Sequence, residues 1–95
     1  MNVNYIEEPN RVYCETDQEK FVGECTYSNA GKDLMIIDHT LVETPYRGYG
    51  IAAELVGKVV DVAREKNKKI IPLCPYAKAE FDRKPEYHDV CRDNK

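Results

Sequence analysis

LMIIDHTLVETPYRGYGIAAEL, residues 34–55, changes its period halfway along. Residues 34–42 are apolar, β-branched and too few for an ordinary helix, which predicts a central strand. From Gly50 the pattern differs: Ile51, Ala52, Leu55, Val56, Val59, Val62 and Ala63 recur at three and four. That spacing is one face of a helix over 50–66, with Glu54 to Lys58 as a favourable pair on the other side and Asn67 as the C-terminal cap. The connection between strand and helix carries Pro45, Gly48 and Gly50.

Working outward, KIIPL (69–73) is a short apolar run and predicts a strand. A strand, helix and strand in this order make a βαβ unit with parallel strands and a right-handed crossover. Pro72 lacks an N–H, so this strand is expected at an edge, or splayed where the proline sits. Upstream, RVYCET (11–16) and KFVGECTYS (20–28) alternate with strand periodicity, and short turns at 17–19 and 29–33 make a three-stranded antiparallel meander with 34–42. Residues 1–10 are polar and are expected to lie loosely on the surface. AKAEFDR (77–83) suits a short helix that Pro85 stops. The expected fold is α/β (α+β): the meander extended by one parallel strand, a long helix after the third strand, and short C-terminal helices. At 95 residues the chain is expected to form one domain over 1–95, since two independent cores do not fit.

Composition narrows the function. A formal net charge of −3, from 14 Lys and Arg against 17 Asp and Glu, argues against nucleic acid as a partner. No apolar run approaches a membrane span, and MNVNYIEEPNR is no signal peptide, so the expected location is the cytoplasm. Cys14, Cys25, Cys74 and Cys91 contain no C-x-x-C pair. Free thiols in a reducing compartment are expected rather than a disulfide framework, and no metal site, although His88-x-x-Cys91 is a faint zinc hint.

The helix start is the chemical feature. It presents unpaired backbone N–H groups and the positive end of a dipole, and glycine lets an anion approach closely. Arg47 can add a charged hydrogen bond. After Thr44 the loop has no Ser, Thr, Asp or Asn to cap those donors. Spacing alone leaves two readings, a glycine turn before a core helix or a phosphate cradle. The Lys-[Ser/Thr] of a P-loop and the third glycine of G-x-G-x-x-G are both missing.

Arg47-Gly48-Tyr49-Gly50-Ile51-Ala52 resembles the Q/R-x-x-G-x-G/A loop of the GNAT superfamily of acetyl-CoA-dependent N-acyltransferases. DHTLVETPYRGYGIA with CPYAKAEFDRKPEY is similar to its small stand-alone members, over most of residues 11–90. The resemblance implies that Arg47, Gly48, Tyr49, Gly50, Ile51 and Ala52 hold the pyrophosphate of coenzyme A. It implies that Leu41 and Val42 offer backbone bonds to the pantetheine arm, which adds itself like a strand. Cys74 would lie near the thioester. The co-substrate would be acetyl-CoA and the acceptor an amine, on a small molecule or a protein lysine, with the chain a monomer or weak homodimer.

Two departures stand out. Typical members are half as long again, and the elements missing here build much of their substrate pocket. Many also carry an Asn after the parallel strand and, about seven residues on, a Tyr acting as general acid; here those places hold Cys74 and Phe81. Phenylalanine donates no proton, which leaves Tyr76 and Tyr87 as candidate acids. His39 is a candidate base. Cys74 is either a nucleophile that carries the acetyl group or a small residue beside the sulfur of pantetheine. Lys78 could meet a phosphate or simply face water, and His88 reads as solvated. The rival to an N-acetyltransferase is a CoA-binding module without catalysis, acting through a partner; a structural interaction domain that binds no nucleotide is the third reading.

Overall fold

The computed structural model describes residues 2–92. Its strands are β1 (Val3–Glu8), β2 (Arg11–Thr16), β3 (Phe21–Asn29), β4 (Leu34–Val42) and β5 (Lys69–Pro72), and they lie side by side in sequence order. The first four are antiparallel and β5 runs parallel to β4. Helix α1 (Ile51–Glu65) crosses from β4 to β5, and α2 (Pro75–Arg83) follows. Single 3-10 turns cover Thr44–Tyr46 and Pro85–Tyr87.

The meander is therefore four strands, not three. Val3 and Tyr5 pack against the core, while Asn4 between them is exposed. The Nζ of Lys58 on α1 sits 5.5 Å from the centre of the Tyr5 ring. With so few apolar residues, this segment is a strand because β2 offers it a ladder and α1 covers one side, not because of its own composition.

The core lies between one face of the sheet and the helices. Val12, Cys14, Cys25, Tyr27, Met35, Ile37 and Ile70 from the strands meet Leu55, Val56, Val59, Val60 and Ala63 from α1. The predicted helical face holds, with Val60 added and Ala52 only half-buried. Asn67 ends α1 in the left-handed conformation (φ 58°), with Lys68 N–H bonding Ala63 C=O and Asn67 N–H bonding Arg64 C=O. That is a Schellman cap built on asparagine. On α2 the fully buried Glu80 is paired with Arg83 and, at 3.0 Å, with Lys84 Nζ.

Two details of the sheet prepare the site. Pairing of β4 with β5 stops at Ile37 and Pro72. Proline has no N–H to continue the ladder, and the next two donors, Leu73 and Cys74 N–H, both converge at 3.0 Å on the Ile37 carbonyl. Beyond that point the strands part. Against β3, Thr26 faces His39 and Tyr27 faces Ile37, so Asp38 is an extra residue in β4, a bulge. The bulge reverses which residues face the core: Met35 and Ile37 before it, Thr40 and Val42 after it. Asp38 and His39 are both exposed, and the Asp38 carboxylate accepts from the Thr26 and Ser28 hydroxyls at 2.5 and 3.1 Å.

Gly23 holds this end of the sheet together. A Cβ there would stand 2.5 Å from the Leu41 carbonyl oxygen and 3.2 Å from the Val42 Cα, and neither is a flexible chain end. Gly23→Ala is expected to cost about 1–3 kcal/mol. Urea unfolding should show a lower midpoint at unchanged slope; an unshifted midpoint would mean that the strands separate freely at this point.

Candidate acyl-transfer cleft

The parting of β4 and β5 leaves a cleft of about 400 Å³ lined by Thr40, Leu41, Val42, Tyr46, Arg47, Gly48, Gly50, Ile51, Ala52 and Tyr76. Its floor is the unpaired edge of β4. Glu43 N–H bonds the Val22 carbonyl at 2.8 Å. By alternation the Leu41 backbone then points to β3, opposite Glu24, while Thr40 and Val42 turn theirs to the open side. Of the two residues expected to offer backbone bonds to an extended ligand, Val42 faces the cleft and Leu41 is engaged in the sheet. The Val42 carbonyl already accepts from Arg47 Nε at 2.9 Å.

The loop forms one wall. Gly48 and Gly50 have φ of +90° and +78°, which side-chain-bearing residues rarely adopt. Gly50 is the N-cap of α1 and no side chain caps the helix, so the first N–H groups of Ile51, Ala52 and Ala53 have no intrahelical partner. A Cβ at either glycine would meet nothing within 4 Å, so these positions are set by backbone conformation and open space, not by packing. Arg47 braces the loop against the end of β4 through Val42. Tyr49 is 63% exposed and does not line the cleft, whereas Tyr46 does.

Thr40 and Tyr76 line the side nearest α2, and behind them lies Cys74, the N-cap of that helix. The residue is 8% exposed, and its Sγ lies 3.7 Å from Thr40 Oγ1. Burial works to raise its pKa. Against that, the Ala77 N–H, the Thr40 hydroxyl, the Tyr76 N–H and the Thr40 N–H favour the ionised form, and the thiol's pKa falls below its ordinary 9.0. Burial has the opposite net result elsewhere: Cys14 is pushed up to about 11 and Cys25 to about 12. Cys14, Cys25, Cys74 and Cys91 are all free.

Other candidates fall into place. His39 is exposed and, next to Thr40 in the strand, points to the opposite side of the sheet from Cys74. It cannot act by contact with the thiol, but both residues flank the place where β4 and β5 separate. Tyr76 lines the cleft. Tyr87 does not: it packs 5.4 Å from the Phe81 ring, with its hydroxyl beside Gly57 of α1. Phe81 is a core residue at 2% exposure. Lys78 pairs with Asp82 at 2.9 Å. Among the described residues, no three His, Cys, Asp or Glu converge as metal ligands. Nor is any helix there long and apolar enough to cross a membrane.

Sequence reasoning missed Thr40 and Cys25 as neighbours of Cys74. The alternation of β4 gave the face of Thr40 only if the bulge at Asp38 was known, and bulges leave little trace in an apolar run.

The sequence matches the family model described as GCN5-related N-acetyl-transferase over residues 11–90. A GCN5-like protein of Staphylococcus aureus, solved in solution, is 33% identical with a TM-score of 0.76, covering 95% of this chain and 88% of that one. An Escherichia coli GNAT-family N-acetyltransferase solved with CoA is 20% identical with a TM-score of 0.58, over 63% of this chain and 37% of its own. A Bacillus anthracis protein solved with acetyl coenzyme A is also 20% identical at 0.58, over 83% and 49%. No curated protein matches the sequence significantly. The chain belongs to the GCN5-related N-acetyltransferase family, in a form that spans less than half the length of those two ligand-bound relatives.

Proposed function

We propose that this protein binds acetyl-CoA in the cleft between β4 and β5 and transfers the acetyl group to an amine through Cys74. The observation that carries the reading is the buried Cys74 thiol at the N-terminus of α2, 3.7 Å from the hydroxyl of Thr40, which lines the cleft. The unpaired N–H groups after Gly50 suit a diphosphate, and the open edge of β4 suits an extended arm. Relatives solved with CoA and with acetyl coenzyme A support the ligand class.

The chemistry needs few groups. The Cys74 thiolate attacks the acetyl carbonyl, a new thioester forms, and the CoA thiolate leaves. Tyr76, on the cleft wall, is the group that can give that thiolate a proton. The acceptor amine then attacks the Cys74 thioester from the helix-free side of the sheet, where exposed His39 can take its proton. Among the described residues nothing covers that side, which favours a bulky acceptor such as a protein lysine over an enclosed small molecule. The free thiols support a reducing compartment, the cytoplasm, and the chain acts as a monomer or weak homodimer.

Thermal denaturation with acetyl-CoA, CoA and acetate tests binding: the first two should raise the midpoint and acetate should not. Release of free CoA should then depend on added amine, either a lysine peptide or a polyamine. Stabilisation without amine-dependent release would leave a CoA-binding module. No stabilisation would remove both readings.

A further inference from the structure

Two thiols flank one hydroxyl in the core beside the cleft. Thr40 Oγ1 donates to Cys25 Sγ at 3.6 Å, and Cys74 Sγ donates to Thr40 Oγ1 at 3.7 Å. Cys25 is on β3, directly across from Thr40 on β4, and Cys74 lies beyond β4 on its other side. Cys25 and Cys74 thus stand on opposite sides of β4 with the Thr40 hydroxyl between them, and both are free thiols.

We propose that Thr40 is a positioning residue whose hydroxyl turns between the two sulfurs as Cys74 gains and loses its proton. With Cys74 as a thiol, the chain runs Cys74 S–H to Thr40 O–H to Cys25 S. Once Cys74 is a thiolate it can only accept. The hydroxyl rotates and donates to Cys74, and its freed lone pair accepts the Cys25 S–H. Every hydrogen bond is kept and its direction is reversed. No proton passes along the chain: the one that Cys74 loses goes to solvent or base, and Thr40 and Cys25 keep theirs.

Cys25 suits this part because it can donate or accept while staying protonated at neutral pH. A hydroxyl bonded to a full charge is shorter and stronger than one bonded to a thiol, and the Cys25 S–H polarises it further. The device therefore favours the thiolate. Few other groups bear on Cys74. Tyr76 is its neighbour on α2, while Asp38 and His39 on β4 face the far side of the sheet. The inference rests on the nucleophile reading only for its purpose; the geometry stands by itself.

Alkylation of Cys74 by iodoacetamide, followed by peptide mass mapping across pH, reads the thiolate directly. Thr40→Val should move the midpoint up by about one to two units, since it removes one charge-assisted bond. Thr40→Ser restores the hydroxyl and should return the midpoint close to wild type. Cys25→Ala should raise the midpoint by less than Thr40→Val, and its effect should largely vanish in a Thr40→Val background, because the hydroxyl carries the hydrogen-bonded link. An unchanged midpoint in Thr40→Val overturns the proposal. So does a Cys25→Ala shift of equal size in both backgrounds. A wild-type thiol that alkylates at low pH yet never carries an acetyl group would defeat the nucleophile reading and leave this inference intact.

Discussion

Gly50→Glu is expected to abolish acetyl-CoA binding while the protein remains folded. The position has φ +78° and open space around it, so the new side chain enters no packed region. A residue with a Cβ held in the left-handed region costs about 1–2 kcal/mol, which lowers the midpoint of unfolding without destroying the core. Binding suffers more. A carboxylate at the N-cap would accept the free N–H groups of α1 and oppose a diphosphate with like charge, at several kcal/mol. The dissociation constant should rise by more than about 100-fold. Gly50→Ala separates the two causes, for it carries the strain without the charge and should weaken binding by less than about tenfold. Calorimetric titration of both variants with acetyl-CoA is the measurement. Equal affinity of Gly50→Glu and wild type would mean that the phosphates lie away from this helix.

Cys74→Ala carries the other large effect. Acetyl-CoA should bind nearly as well, since the thiol is not among the groups that would hold its phosphates. Amine-dependent release of CoA should fall by roughly 10³-fold or more, as when a nucleophile is lost from a covalent route. In wild type, mass spectrometry after mixing with acetyl-CoA and no acceptor should find one acetyl group, on the peptide that holds Cys74. Iodoacetamide near neutral pH should block Cys74 in preference to Cys14 and Cys25, whose thiols burial keeps protonated. The pH dependence has a definite sign. Because the folded protein lowers the Cys74 pKa, activity should rise with pH and level off below 9.0, the ordinary value. Folding shares that linkage. The thiolate's contribution to stability is complete above the ordinary value and is lost as pH falls through the folded one. Wild type should therefore gain stability relative to Cys74→Ala between neutral and alkaline pH. Full activity in Cys74→Ala would make the thiol a spacer and the transfer direct.

The βαβ half of the molecule was legible because its signals are long or chemically unusual. Fifteen helical residues with one apolar face, asparagine at the helix end, and proline where the parallel strand stops each have a single cheap structural solution. The first strand was not legible. Val3 and Tyr5 alone do not mark a strand, and the partners that make it one come from β2 and α1. The candidate site divides in the same way. Gly48, Gly50 and Cys74 announce themselves by residue type and position. The neighbours of Cys74 depend on one residue out of register in β4, and so does the choice between Leu41 and Val42. Tyr87 packs outside the cleft, its hydroxyl beside Gly57 where no side chain stands, a packing fact that no local pattern carries.

Asp38 is where that strand changes its outlook. Within three residues, 38 to 40, the chain shows an acid and an imidazole to solvent on one side and a hydroxyl to the interior on the other. Larger enzymes commonly bring opposing groups to a reacting atom from separate domains or from long loops. Here a single misaligned residue in β4 presents both faces of the strand beside one small gap.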